Sequence, residues 1–191
     1  MSGKGNAREE MRSMNQIEKT VRKESDQIYL RPMDIGDTDQ IIAWRNKDRV
    51  RHNFIYQEPF TVEGHENWIR TQIDTGRVVQ FIICESFDSR AIGSVYFRDI
   101  DHKKQCAEYG IFIGEDDAIG KGYGTQAAEL ALSYAFEKLG LKEVFLRVFA
   151  DNIGARKSYE KAGFRLIEGK KEMVVIDRTE RELVFYVTGK K

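Results

Sequence analysis

The sequence predicts an α+β fold: a single domain whose mixed, largely antiparallel sheet is flanked by helices. Three β-rich runs, VVQFIICE, AIGSVYFRDI and QCAEYGIFIG, follow one another across the short polar turns FDSR and DHKK, which makes a meander. Helical periodicity lies before and after that meander and does not alternate strictly with the strands. The 191 residues suffice for one sizeable core and fall short of two comfortable ones.

Each element follows in order. Residues 1–26 are polar with both signs of charge, and Met11, Met14, Ile17 and Val21 recur at near-helical spacing, so this segment reads as an arm or short helix outside a domain spanning 27–191. QIYLRP is a short strand stopped by Pro32. DTDQIIAWRN is a helix that Asp37 or Thr38 can cap. From Thr61, TVEGHENWIRTQID is a second helix, with Val62, His65, Trp68, Ile69 and Ile73 on one face and Gly76 closing it. The meander comes next. A glycine loop then leads into a helix reaching about Leu139, followed by the strand EVFLRVFA, the short helix NIGARKSYEKAG, and two strands near 164–176 and 181–187.

Lys plus Arg and Asp plus Glu both total 31, so zero net charge argues against bulk attraction to nucleic acid or anionic membrane. No apolar run approaches the ~20 residues that span a bilayer, and MSGKGNAREEMRSMNQ has no signal-peptide core. The expectation is a soluble, cytoplasmic protein with a small molecule as partner. Cys84 and Cys106 show no CxxC spacing and no histidine cluster, so they read as free thiols and no metal site is expected.

The stretch AIGKGYGTQAAELALSYAF, residues 118–136, carries the chemistry. Glycines at 120, 122 and 124 open a helix whose first N–H groups have no internal partner and whose dipole is positive at that end, which suits a phosphate. A Walker A loop needs Lys followed by Ser or Thr after its last glycine, and here Thr125 and Gln126 follow. A dinucleotide fingerprint belongs early in a parallel βαβ unit, whereas Thr125 occupies its third glycine's place and an antiparallel meander precedes it.

The order AEYGIFIG, EDDAIGKGYGT, helix, EVFLRVFA, Asn152, ARKSYEKAGF resembles the acetyl-CoA-binding core of the GNAT superfamily of N-acetyltransferases, over roughly residues 28–187. Ile119 stands where the superfamily often has Gln or Arg, while the GKGYGT form is similar to the ribosomal-protein acetylating branch. The resemblance implies acetyl-CoA as co-substrate. It implies that the amides of Lys121, Gly122, Tyr123, Gly124 and Thr125 hold the pyrophosphate, that Gly120 shapes the turn, and that Phe112, Ile113 and Gly114 pair with the pantetheine arm like an added strand. Asn152 is implied as a further cofactor contact, and equally as an ordinary helix N-cap.

Acetyl transfer from a thioester to an amine needs a neutral amine, a stabilised oxyanion and a proton for the thiolate. Tyr159 matches the superfamily tyrosine that protonates the CoA sulfur. The oxyanion donor would be a backbone N–H near Gly110 to Phe112, freed by a bulge. The ribosomal-protein branch carries a glutamate where this chain has Arg147, so Glu108 is the candidate base, against a plain solvated strand residue; Glu115, Asp116 and Asp117 read as solvated loop charge. WRNKDRVRHNF and PFTVEGHENWI resemble acetyltransferases of nucleotide-linked amino sugars, which implies an acceptor wall with Arg45, Asn46, Arg49, Arg51 and His65 meeting phosphate or hydroxyl groups. Their bland reading is helix face and surface charge. The expected function is N-acetylation of a small primary amine such as an amino sugar. The alternatives are a protein N-terminus, a polyamine, or a non-catalytic acetyl-CoA-binding module. EMVVIDR and RELVFYV leave a sheet edge suited to a homodimer.

Overall fold

A computed structural model describes Thr20, Val21 and residues 27–190. Most of the arm therefore lies outside the described residues; Val21 itself makes an antiparallel bridge with Leu30. Seven strands form one sheet in the order β1-β2-β3-β4-β5-β7-β6, where β1 is Ile28–Pro32, β2 Val79–Glu85, β3 Ala91–Asp101, β4 Cys106–Ile113, β5 Glu143–Phe149, β6 Arg165–Ile176 and β7 Thr179–Gly189. All neighbours run antiparallel except β4 and β5. Among the described residues five α-helices flank it: α1 (Thr38–Arg45), α2 (Asp48–Arg51), α3 (Val62–Trp68), α4 (Tyr123–Glu137) and α5 (Ile153–Lys161).

The sheet has a core on each face. On one, α4 presents Ala127, Ala128, Ala131 and Ala135, whose small side chains let it lie close to Ile28, Phe81, Ile83, Val95 and Phe97. On the other, Met33, Ile41, Trp44, Val50 and Ile69 of the α1–α3 region pack on Ile82, Cys84 and Phe112. Period-2 alternation along β2 to β4 separates the two sets.

Local chemistry sets the helix ends. Asp37 does not cap α1 with its side chain, because its carboxylate is held by Arg31 at 2.6 and 2.8 Å and by the amide of Asp34. Thr61 does cap α3, accepting from the Gly64 amide. The second predicted helix is α-helical only to Trp68 and continues as a π turn over Ile69–Ile73. Val62 lies outward, 49 % exposed, and not on the inner face.

Trp44 docks the α1 layer onto the end of β4. Its indole N–H donates to Glu115 at 2.7 Å, and a Cβ at Gly114 would stand 2.2 Å from its ring. Gly114→Ala should therefore displace Trp44 and lower stability by about 1–3 kcal/mol in urea unfolding. An unchanged midpoint would show that Trp44 does not need that seat.

Candidate active site

β4 pairs with β5 only at Cys106, Ala107 and Glu108, opposite Glu143, Val144 and Phe145. Beyond that point β4 runs on against β3 alone and β5 against β7 alone, leaving two facing edges across a gap. Alternation says which groups face it. The Gln105 carbonyl accepts from Lys142 and Glu143 on the β5 side, and the Gly114 amide donates to Ile92 on the β3 side. Between them, odd-numbered residues turn their backbone to β5 and even-numbered ones to β3. The N–H and C=O of Ile111 thus open into the gap.

That phase corrects the expected pantetheine contacts. Phe112 and Gly114 turn their amides to β3, and the Gly114 carbonyl accepts from Lys47 and Arg49. Ile113 faces the gap, with its carbonyl already accepting from Arg49 at 3.1 Å. Nor does a bulge free an amide over 110–112, since the register with β3 is continuous from Glu108 to Ile113. The divergence from β5 frees the donor instead.

The N-terminus of α4 stands beyond the end of β4. Gly120 and Gly122 have φ of +78° and +82°, and a Cβ at either would project into open space; that left-handed backbone is why glycine is needed. The Gly122 carbonyl takes the amides of Thr125 and Gln126, and the amides of Tyr123 and Gly124 have no backbone acceptor among the described residues. Thr125, expected to offer its amide, spends it on Gly122 and holds Ser158 with its hydroxyl at 3.0 Å. Gly124 is helical, and a Cβ there would come 3.3 Å from Ser158 Oγ, so it serves the contact between α4 and α5. The Lys121 ammonium lies 5.8 Å from the Tyr123 ring centroid. Unpaired amides at a positive helix end, on a loop with room above its glycines, fit a pyrophosphate.

Tyr159 on α5 packs among Tyr109, Phe164 and Tyr186, with its ring perpendicular to that of Tyr109 at 6.2 Å. Burial, with a smaller contribution from Tyr96, pushes its phenol well above the usual tyrosine range, so it holds its proton at neutral pH. Glu108 is not a solvated strand residue: it is buried, accepting from Arg98 at 2.9 Å and from Arg147 at 3.1 Å. Tyr96 lies beside it, and a Cβ at Gly110 would strike its ring at 2.2 Å. Asn152 is the N-cap of α5, accepting from Ala155 and donating to Asn53 at 2.9 Å.

The predicted acceptor wall divides. Arg45 is buried, its guanidinium 3.2 Å from the Phe54 ring centroid and 4.4 Å from that of Phe60. Arg49 reaches Asp116 at 2.7 Å as well as the end of β4. The other three are corrected to structural roles. Asn46 clips the 46–60 segment shut through both its bonds to Phe60; Arg51 pairs with Asp48 within its own helix; His65 is 2 % exposed against Thr38, and burial lowers its pKa, so it offers no cation to a phosphate. The loop acids are paired as well: Glu115 with Trp44, Asp116 with Arg49, and Asp117 with Arg90. Sequence reading missed Tyr96, Phe54, Phe60 and the two-arginine clamp. Only the β3–β4 register, which sets Tyr96 opposite Gly110 and Arg98 opposite Glu108, brings the clamp and Tyr96 to one place.

The family profile described as Acetyltransferase (GNAT) domain matches residues 27–165. This chain belongs to the GNAT acetyltransferases. It is 30% identical over 148 residues to the probable N-acetyltransferase YjcK of Bacillus subtilis, covering 72% of this chain and 80% of that protein. It is also 30% identical over 148 residues to a spermidine N(1)-acetyltransferase of Escherichia coli K12, covering 75% of each. The Vibrio cholerae spermidine N-acetyltransferase, solved with CoA and spermine, superposes with a TM-score of 0.78 at 24% identity over 85% of this chain and 95% of that one; it has also been solved as a dodecamer. As a GNAT enzyme, this protein uses acetyl-CoA as co-substrate. Gly122→Ala forces a side chain into left-handed backbone at about 1–2 kcal/mol, and should weaken acetyl-CoA binding by roughly tenfold in calorimetry while the fold persists. Full affinity in that variant would place the pyrophosphate elsewhere.

Proposed function

We propose that this acetyltransferase acetylates a small primary amine by direct attack on the thioester, with an amino sugar as the favoured acceptor class. The observation that carries this reading is the gap itself: free backbone at Ile111 on its edge, Tyr159 packed against Tyr109 on one face, and Glu108 with Tyr96 on the other. Acetyl-CoA supplies an activated acyl group. The Ile111 amide is the donor placed for the carbonyl oxygen as charge develops there. Glu108, held by two guanidinium groups, keeps lone pairs to take the proton that the amine sheds as its nitrogen bonds to the acyl carbon. Tyr159 gives its proton to sulfur as the carbon–sulfur bond breaks.

Aromatic rings at Phe54, Phe60 and Phe112 suit the apolar face of a sugar ring. A polyamine is the second reading, favoured by relatives named for spermidine; the guanidinium of Arg45, which meets no acid among the described residues, opposes a polycation. Thiol release from acetyl-CoA over a panel of amino sugars, polyamines and N-terminal peptides ranks these acceptors, and spermidine as the best substrate would replace the amino sugar. We also place the enzyme in the cytoplasm as a homodimer formed through β6, the sheet edge on which Met173 and Val175 are exposed. A monomer mass by light scattering at micromolar concentration would remove that dimer.

Tyr159→Phe keeps the ring and removes the donor, so acetyl-CoA binding should persist while turnover falls ~10²- to 10⁴-fold. Because the phenol is pushed upward, the parent's rate should not decline on its account as pH rises through the ordinary tyrosine value of about 10. Equal turnover in Tyr159→Phe would sink the assignment. Glu108→Gln should lose most at low pH and recover toward ~10 for a lysine-like amine; a profile parallel to the parent's would take Glu108 out of proton transfer.

A further inference from the structure

Arg45 closes α1, and among the described residues no acidic group meets it. It is 6 % exposed, and its Nη1 is buried without a hydrogen-bond acceptor. Arg31, Arg98 and Arg147, all part-buried, and the exposed Arg49 each reach a carboxylate within 3.1 Å. Around Arg45 stand instead three aromatic rings, with centroids at 3.2 Å for Phe54, 4.4 Å for Phe60 and 5.9 Å for Phe112. Ring faces return part of what a cation loses on leaving water, but they accept no N–H in the plane of the fork. Burial lowers the Arg45 pKa to about 10, which still leaves the group charged at neutral pH. The fold thus keeps a dry cation with an unspent donor.

Its place gives the donor a use. Phe112, beneath the guanidinium, follows Ile111, whose amide faces the gap; Tyr96, which feels the charge of Arg45, lies over Gly110. Arg45 therefore stands on the α1–α3 face of the sheet, beside the β4 edge that opens into the gap. Two of its three rings, Phe54 and Phe60, belong to the irregular segment between α2 and α3, the part of the cage that no strand or helix fixes.

We propose that the acceptor amine carries an anionic group, a carboxylate or a phosphate, and that Arg45 binds it through Nη1 while the amine faces the gap. A planar guanidinium is suited to both oxyanions. The inference rests on the transferase reading and sharpens it: charged substituents of the right sign are selected at Arg45, and polyamines are selected against.

The test uses full-length protein saturated with CoA, so that the helix end built for pyrophosphate is filled and does not score as an anion site. Two pairs of amines are compared at fixed ionic strength, ethanolamine with O-phosphoethanolamine and propylamine with β-alanine, by calorimetry and by kcat/KM with acetyl-CoA. In at least one pair the anionic member should bind about tenfold more tightly than its neutral partner, the effect of one hydrogen bond to a charged group. Which pair responds separates phosphate from carboxylate. Arg45→Gln should bring that pair to near parity; if it does not fold, Arg45→Met, which keeps an unbranched stem against the rings, takes its place. Parity in the parent, or a preference that survives in the variant, overturns the assignment. No acetyl-CoA binding, or no thiol release with any amine, would be a failure of the transferase reading; turnover without anion preference would be a failure of Arg45 alone.

Discussion

The site depends on the sheet coming apart between β4 and β5. Each strand is held along its outer edge, β4 by β3 as far as Ile113 and β5 by β7 as far as Phe149, while only three residue pairs join them to each other. Two ladders that each carry the usual right-handed twist diverge once their shared pairing ends. The wedge is visible just beyond the last pair, where Tyr109 meets Tyr159 and Phe164 on the α5 face. Unpaired strand backbone is normally a liability inside a protein. Here it is the part that a peptide-like arm can satisfy, which is why we place the cofactor arm there.

Charge divides along the same line. On the side we assign to acetyl-CoA the unpaired groups are backbone, at a helix end and on a strand edge, with Gly120 and Gly122 present because the chain turns left-handed there. On the side we assign to the acceptor the charged groups are side chains, Arg147 among them. It stands on β5 and ties its guanidinium to Glu108 across the parallel pair, with Arg98 closing from β3. Arg98 also lies 3.8 Å from Asp99 and Arg147 3.6 Å from Glu172, so these two cations are balanced by acids, whereas Arg45 meets no acid among the described residues.

How much of this the sequence disclosed follows from what each feature rests on. Meander, glycine loop, helix and late strands are local patterns, so their order was legible from VVQFIICE onward, with boundaries shifted by a residue or two. Tyr159 was singled out by the short motif around it, and the structure adds its packing against Tyr109 beside the gap. Asn46, Arg51 and His65 were misassigned because nothing in WRNKDRVRHNF or GHENWI reveals that Asn46 reaches Phe60, that Arg51 turns back to Asp48, or that His65 lies against Thr38. Phe112 and Gly114 were placed one step out of phase, since which edge a strand residue faces is set by register with its neighbours. Glu108 was proposed without its arginines, because the clamp joins three strands.

The two cores explain why that division is not accidental. The face covered by α4 is continuous apolar packing, with alanines seated on β1 to β4, and it fixes the amides at the helix start by fixing the helix. The face covered by α1 to α3 is smaller and is pinned at separate points: Trp44 over Gly114, Lys47 and Arg49 on the last carbonyls of β4, Asn46 on Phe60, Asn53 on Asn152. That layer also packs Met33, Ile41, Trp44, Val50 and Ile69 on the sheet, and Phe54 and Phe60 lie in the irregular segment between its clips. Under the proposed assignment, the acetyl-CoA end of the site rests on continuous apolar packing and the acceptor end on side chains held between polar clips.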